Sequence, residues 1–551
     1  MLVLGLNYGD HDPSAALVKD GRLLVVVEHE RISRIKRGKY QVPTESILEC
    51  LKATGTNPSD IDYIAVGWSD QRLGELGEAD KRFRIENVLP GEFRQVQELP
   101  QIVGVRHHLA HAASAFWCSG FSEAAVLVVD GEGEDESTTL WSGTEKGLVE
   151  IASLPSTLSL GHFYKSATKF SGLEHDGGNH EGKLMGLSSY GRPTEPMPLV
   201  LSPGSIGFSS DVAVDDGPRI RERFRDRLHE FWRASAYPYI EGDGREVMAY
   251  ANFATSVQSS LEGALVHLAE HLKLKTGFSR LAIAGGVGQN CAANGTLGAK
   301  RIFDEIYIQP ACHDAGVSLG AALWVSHTHD PNSLTIESAA MPHAFWGLQY
   351  SSDECQAALD KAGLKYVRLS EDALASTVAQ AVADGSVVGW FHGRAEIGPR
   401  ALGARSILAD PRKRANVMRV NGIKSREVWR PFAPSVLEEH FDEYFESVVR
   451  SPFMNVACPV RYSARRLVPA IVHVDGTARP QSISSKHAPR YWKVVDGFRR
   501  ITGLPLLLNT SFNLRGEPIV NSPRDAIRDF QISPIDMLAL EDCVVTKRAQ
   551  S

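Results

Sequence analysis

Hydrophobic positions open the chain in short alternating runs. Leu2 to Leu6, Ser14 to Val18 and Leu23 to Glu28 predict three strands joined by tight turns, with Asp20-Gly21 a hairpin signal. Thr44 to Thr54 predicts a helix with Thr44 as its cap, and Ile61 to Val66 a further strand. Ala110 to Cys118 reads as helical. Ala124 to Asp130 is a buried strand, with Thr138 to Ser142 as its hairpin partner. Arg219 to Phe231 is charge-rich and predicts a solvated helix, and Arg245 to Leu274 carries apolar residues at helical spacing. Leu281 to Ala284 is a strand that opens into Gly285-Gly-Val-Gly. Strands alternating with helices imply an α/β fold with a mixed sheet.

The pattern changes between residues 326 and 352. His327 to Leu334 reads as polar loop, and Ala340 to Ser352 has aromatics without periodicity. A boundary is placed near residue 345, dividing the chain into 1–345 and 346–551. The second part opens with a helix (Asp353 to Ala362) and a strand (Ser386 to Phe391). It closes with strands at Leu506 to Leu508 and Met537 to Leu540.

The chain has 551 residues, of which 43% are hydrophobic, enough for two or three domains with ordinary cores. Net charge is -7, from 59 basic and 66 acidic residues, which argues against nucleic-acid or membrane-surface partners. The seven cysteines are scattered, with no Cys-x-x-Cys, which suits reduced thiols and a cytoplasmic location. The first residues read as a strand rather than a signal peptide, and no apolar run reaches transmembrane length.

The densest candidate chemistry is Gly389 to Arg414, where Arg394, Arg400 and Arg405 are interleaved with glycines. Arginine grips phosphate with paired hydrogen bonds, and glycines let backbone N–H groups approach the same anion. Glu396 adds one carboxylate, able to orient an arginine or receive an amide. Lys424, Arg426 and Arg430 bring three more cations. Asn509, Thr510, Ser511 and Asn513 follow an apolar strand, where an open α/β sheet presents ligand groups. Earlier in the chain, Asn7 to Ala16, Asp130-Gly-Glu-Gly-Glu and Gly285-Gly286-Val-Gly-Gln-Asn290 resemble the phosphate and adenosine loops of actin-like ATPases and sugar kinases. Glu181 and Lys183 lie in a polar segment of small residues. His107 and His111, four apart on a helix, can ligate one ion, with oxygens from Asp130 and Asp314. Such a set suits iron, manganese, magnesium or zinc in contact with phosphate.

Asn7 to Ala16, Glu28 to Lys36, His107 to His111, Glu181 to Gly191, Gly285 to Asn294, Gly393 to Ser406, Lys424 to Pro434 and Leu508 to Asn513 together resemble the O-carbamoyltransferases of antibiotic and nodulation-factor biosynthesis. The chain departs from that pattern at Tyr8 and Ser188-Ser189. The resemblance implies an N-terminal actin-like domain, similar to the threonylcarbamoyl-transfer protein, followed by a YrdC-like α/β domain. It implies that carbamoyl phosphate and ATP (with magnesium) are joined as carbamoyladenylate in the second domain, releasing pyrophosphate and phosphate. The first domain would pass the carbamoyl group to a hydroxyl of a natural product, foremost a sugar hydroxyl of an antibiotic, releasing AMP. His11 is the implied base and Lys36 the group that receives the adenylate. Arg394 and Arg430 act in adenylate formation, and the His/Asp set holds a divalent ion, iron before magnesium or manganese. A homodimer is left open. Three readings stand beside this one: an actin-like small-molecule kinase or ATPase, which leaves Gly393 to Ser406 without a task, a transfer-RNA threonylcarbamoylation protein, which the acidic net charge disfavours, and a non-catalytic nucleotide-binding regulator, which the presence of His11 and the arginines disfavours.

Overall fold

A computed structural model describes residues 1–174, 180–215, 219–234 and 247–547. The first five-stranded sheet begins as an antiparallel meander, Leu2–Asn7, Ser14–Lys19 and Arg22–Glu28. Tyr63–Val66 and Gln101–Gly104 then extend it in parallel from Leu2–Asn7. The second sheet repeats this plan. Glu123–Gly133, Glu136–Thr144 and Gly147–Pro155 form the meander, and Arg280–Ala284 and Glu305–Ile308 add in parallel to its first strand. The shared order makes the first part of the chain a duplicated α/β unit, the arrangement expected of an actin-like domain. The first turn follows from its residues: Asp20 and Gly21 both take positive φ (49° and 71°), the geometry of a two-residue hairpin.

Two helices fill the space between these sheets, His107–Ser119 and Val317–His329. They approach closely because Gly320 has no side chain: a Cβ there would fall 1.8 Å from the carbonyl oxygen of Ala110. The apolar faces of both helices are buried, including Phe116, Trp117, Leu319 and Leu323. Burying one such large side chain contributes about 1.5–3 kcal/mol.

The second part of the chain builds a mixed eight-stranded sheet with its own core. Val388–Phe391, Arg405–Ala409 and Leu506–Ser511 lie at its centre, between Met537–Leu540 and Ala433–Leu437. The helix Ser352–Lys361 starts from a capping box of Ser351 and Glu354.

Several expectations are corrected. Thr44 is the first residue inside its helix, and its hydroxyl donates to Val88 O rather than capping. His327 to His329 extend a helix instead of opening a loop, because Val325 and Ser326 before them are buried against the core. The charge-rich helix Ile220–Ala234 is amphipathic, burying Phe224, Leu228 and Trp232. Arg245, at the start of the expected long helix, lies outside the described residues; the helix itself is Ala251–Thr276.

Candidate functional site

The helix His107–Ser119 places His107 and His111 one turn apart on one face, with ring centroids 4.8 Å apart. Asp130 stands in the strand Glu123–Gly133, and Asp314 begins the turn Asp314–Gly316 just before the second central helix. Both histidine Nε2 atoms lie 3.6 Å from Asp130 Oδ2. They are 3.8 Å (His107) and 3.9 Å (His111) from Asp314 Oδ1. All four ligand atoms fall within 4.8 Å of one another, and all four residues are buried.

These residues fit a divalent ion. Neither Nε2 has a hydrogen-bond partner although both are buried, an arrangement that leaves costly orphans unless a cation takes the lone pairs. His107 Nδ1 faces Gly67 O at 3.2 Å, which fixes its proton there and frees Nε2 for the centre, and the Trp68 ring stacks on it at 4.4 Å. Asp130 Oδ1 accepts the Gly286 N–H at 2.8 Å, leaving Oδ2 for the centre. Gly285, at φ 88°, lets this turn close on Val129: a Cβ would sit 2.3 Å from Val129 O. Burial opposes a charge on His107, yet Asp130 and Asp314 raise its pKa to about 10. Despite burial, the histidines hold the two carboxyls well below the usual carboxylate range.

His11 stands at the edge of this centre. Its Nδ1 is 3.1 Å from Asp12 Oδ2 and 3.2 Å from Asp314 Oδ2. Arg37 Nη2 lies 3.1 Å from the same nitrogen and 2.9 Å from Asp12 Oδ2. Burial lowers His11 and Arg37 lowers it further, but Asp314 and Asp12 outweigh both and raise it to about 9. Asn7 supports the turn by donating to Asp12 O at 3.2 Å. Asp12 and Arg37 were not read from the sequence; a turn residue at φ 51° and an arginine after Lys36 give no local pattern for this partnership.

A second, cationic centre lies in the other part of the chain. Arg400, Lys424, Arg426 and Arg430 all sit below their ordinary values, through burial first and then through nearby cations, although Glu427 pulls Arg430 the other way. Arg400 is lowered to about 9, with Arg479 the next cause after burial. Arg479 acts on Arg426 and Arg430 as well, and Lys36 acts on Lys424. Arg479 was missed by sequence reasoning, since it stands alone in Thr-Ala-Arg-Pro. Lys424 Nζ donates to Ser511 O (2.5 Å), Asn513 Oδ1 (2.8 Å) and Ser511 Oγ (3.1 Å), tying the cluster to the loop after Leu506–Ser511. Thr510 is half-buried beside them. Arg426 lies 4.2 Å above the Phe432 ring and donates to Asn421 Oδ1 at 2.6 Å. So many mutually repelling cations at partly buried positions would be stabilised by a polyanion.

The glycine-rich loop differs from its sequence reading. Its backbone N–H groups are consumed within the protein: Leu402, Ala404 and Arg405 donate to Glu396 Oε1, and Gly398 donates to Glu28 Oε1. Glu396 therefore takes the place expected for an anion. Arg405 is fully buried, with Nη1 donating to the carbonyls of His392, Gly393 and Ala404, and its guanidinium lies 3.6 Å from the Phe391 ring centre. It braces the loop instead of facing a ligand. Arg394 donates to Leu24 O, Trp346 O and Gly347 O, joining the first sheet to the second part of the chain. Asn509 spends its amide on Ala401 O and Ser435 Oγ. Asn290 caps the helix Cys291–Lys300 and pairs with Gln258. Glu181 and Lys183 begin a helix, Glu181–Ser188, whose Lys183 reaches across to Glu427.

One segment joins the His11 edge of the first centre to the second part of the chain. Arg31 donates to Gly398 O at 2.6 Å, and Arg34 donates to Ile519 O and Pro518 O at 2.6 and 2.9 Å. Three residues later Arg37 holds Asp12 and His11, with Lys36 between the two anchors. Positive φ at Arg34 (59°) and Arg37 (65°) turns the chain sharply enough to serve both sides.

Comparison with known proteins adds to this geometry. Residues 2–80 and 78–323 match the family described as Carbamoyltransferase N-terminus, and residues 379–547 match Carbamoyltransferase C-terminus. Nodulation protein NolNO of Sinorhizobium fredii is 38% identical over 565 residues, covering 98% of this chain and 80% of the relative. Nodulation protein NolO of Bradyrhizobium diazoefficiens is 38% identical over 458 residues, covering 81% of this chain and 80% of the relative. Among solved structures, full-length HypF in its phosphate- and nucleotide-bound form aligns with a TM-score of 0.38 and 15% identity, over 61% of this chain and 56% of that one.

Proposed function

The chain belongs to the carbamoyltransferase family, and from that premise we propose that it moves a carbamoyl group from carbamoyl phosphate to an acceptor hydroxyl in two ATP-dependent steps. The observation that carries the reading is the segment Arg31 to Arg37: Arg37 holds His11 beside the His/Asp centre, Arg31 and Arg34 bind Gly398, Pro518 and Ile519 in the second part of the chain, and Lys36 acts on Lys424. Adenylation is assigned to residues 346–551 and transfer to residues 1–345.

In the first step ATP, carbamoyl phosphate and one water give carbamoyladenylate, pyrophosphate and phosphate. Both substrates are polyanions, and charge shifts between their oxygens as bonds change. Arg400, Lys424, Arg426, Arg430 and Arg479 supply fixed positive charge for that shift. The adenylate is prone to hydrolysis, so its direct transfer between the two parts of the chain limits its loss to water.

In the second step the acceptor oxygen attacks the carbamoyl carbon and AMP leaves. An alcohol is a weak nucleophile, and His11 is the group placed to take its proton; because Asp314 and Asp12 raise it to about 9, only its neutral fraction acts, and transfer should increase with pH toward that value. Asp12 and Asp314 accept from the imidazole Nδ1–H, with Arg37 donating to Asp12, leaving Nε2 for the acceptor. A divalent ion held by His107, His111, Asp130 and Asp314 would supply positive charge for the adenylate phosphate. Iron is the foremost candidate, with magnesium or manganese next, and magnesium accompanies ATP. The acceptor proposed is a natural-product hydroxyl, foremost on a sugar of an antibiotic; a lipo-oligosaccharide hydroxyl is the alternative.

The test incubates the full chain with ATP, carbamoyl phosphate and panels of decarbamoylated antibiotics and lipo-oligosaccharides. A mass gain of one carbamoyl group, with pyrophosphate release that requires carbamoyl phosphate, supports the reading. ADP formation in place of pyrophosphate would move the protein to the kinase alternative.

A further inference from the structure

The cationic centre contains a carboxylate that its proposed chemistry does not use. Glu427 Oε1 lies 3.0 Å from Lys183 Nζ, and Glu427 Oε2 lies 3.6 Å from Arg430 Nη1. Lys183 comes from the first part of the chain and is 9% exposed; Glu427 is 34% exposed. The contact is held from both sides. Tyr190 donates to Trp429 O at 3.0 Å, and a Cβ on Gly186 would touch the Trp429 ring at 3.3 Å. The second oxygen of Glu427 is buried and accepts no hydrogen bond, so it faces Arg430 without a directed commitment. Glu427 thus stands where an oxygen of a bound anion would stand.

We propose that Glu427 is a built-in competitor anion that occupies Arg430 and Lys183 in the free protein and yields Arg430 only to a ligand engaging several of the arginines at once. The inference rests on the reading of Arg400, Arg426, Arg430 and Arg479 as a polyanion site. A phosphate beside this carboxylate meets like charge, which weakens binding. A small inorganic anion gains too few contacts to offset that repulsion. A nucleoside triphosphate together with carbamoyl phosphate gains more. Pyrophosphate, once cut from the nucleotide, loses its other contacts, and Glu427 returns to Arg430 as it leaves. The residue acts through Arg430 and is a positioning residue.

The experiment measures pyrophosphate binding to the full chain by calorimetry, with melting temperature recorded for each variant. Glu427→Gln and Glu427→Ala are each expected to bind pyrophosphate at least about tenfold more tightly than the parent. They should also show stronger product inhibition, while KM for ATP changes only a few-fold. Glu427→Asp, which keeps the charge, should bind like the parent. A residue that merely joins the two parts of the chain would show the opposite, weaker binding in all three variants. Unchanged or weakened binding in Gln and Ala variants that still melt cooperatively overturns the inference. If the parent and every variant fail to bind pyrophosphate at millimolar concentration, the polyanion reading itself falls, and the inference with it.

Discussion

His11 and Asp314 share a carboxylate with the buried His/Asp centre. Asp314 Oδ2 lies 3.2 Å from His11 Nδ1, while Asp314 Oδ1 faces His107 and His111 at 3.8 and 3.9 Å. The proposed base and the proposed metal ligands are therefore one electrostatic unit. A change of charge in the centre reaches His11 through a single side chain.

His11→Asn tests the base. Asparagine keeps a polar side chain but takes up no proton near neutral pH. A positioned base contributes about 10²–10⁴-fold. Carbamoylated product should fall by at least roughly a hundredfold, with pyrophosphate release from ATP and carbamoyl phosphate retained. Product formation within a few-fold of the parent would leave His11 as a turn residue. Loss of pyrophosphate release as well would place it in the adenylation step or in folding.

The metal centre is checked by elemental analysis. The purified protein is expected to carry one divalent ion per chain. His111→Ala should weaken its retention by at least about 10–100-fold, the loss seen when even outer partners of a metal are removed. Transfer should slow while pyrophosphate release continues. No ion in the parent, together with activity indifferent to strong chelators, would count against the site.

Two arginines of one loop should behave differently. Arg400→Ala is expected to abolish pyrophosphate release while changing the melting temperature little, because its hydrogen bond to Gln289 O is long at 3.3 Å. Arg405→Ala leaves the carbonyls of His392, Gly393 and Ala404 without this donor and removes its stacking on Phe391. That should cost about 3 kcal/mol or more of stability. Calorimetry beside a pyrophosphate assay separates the two, and equal melting temperatures for both variants would contradict the bracing role.

Asp529 gives a pH dependence. The residue is fully buried, one of its oxygens has no partner, and burial pushes its carboxyl up to about 6 against the pull of Arg528. The ordinary value is 3.8, so the folded protein binds this proton more tightly than the unfolded chain. The ionised group therefore opposes folding, with no effect below about pH 4 and full effect above about pH 6, at most about 3 kcal/mol. Asp529→Asn should raise the melting temperature at pH 8 by a few degrees and leave it unchanged at pH 4. A gain at both pH values, or at neither, would show that the carboxyl is not the cause.

Much of this protein was legible in its residues one segment at a time. The hairpin at Asp20-Gly21 needs only two residues that tolerate positive φ. The pairing of His107 with His111 needs only helical spacing. Asp130 and Asp314 could be named because strand ends and the turns after them are where α/β sheets present side chains. Arg405 was misjudged because composition does not say which way a guanidinium points. In Gly-Ala-Arg-Ser it turns inward to three carbonyls. Arg479 and Glu427 carry no signal at all, since each acquires its meaning from partners brought together by folding.

By itself, the sequence determined the α/β class, most of the individual strands and helices, and the supply of cations, histidines and carboxylates from which the two centres are made. Only the tertiary structure decided how that supply is spent. It turned Glu396 and Arg405 to bracing a loop, drew Arg479 into the cationic cluster, and set Glu427 against Lys183 from the other part of the chain. The reason is physical. Strand and helix periodicity are properties of neighbouring residues, whereas a buried charge is governed by whichever partner the packed chain leaves within a few ångströms of it.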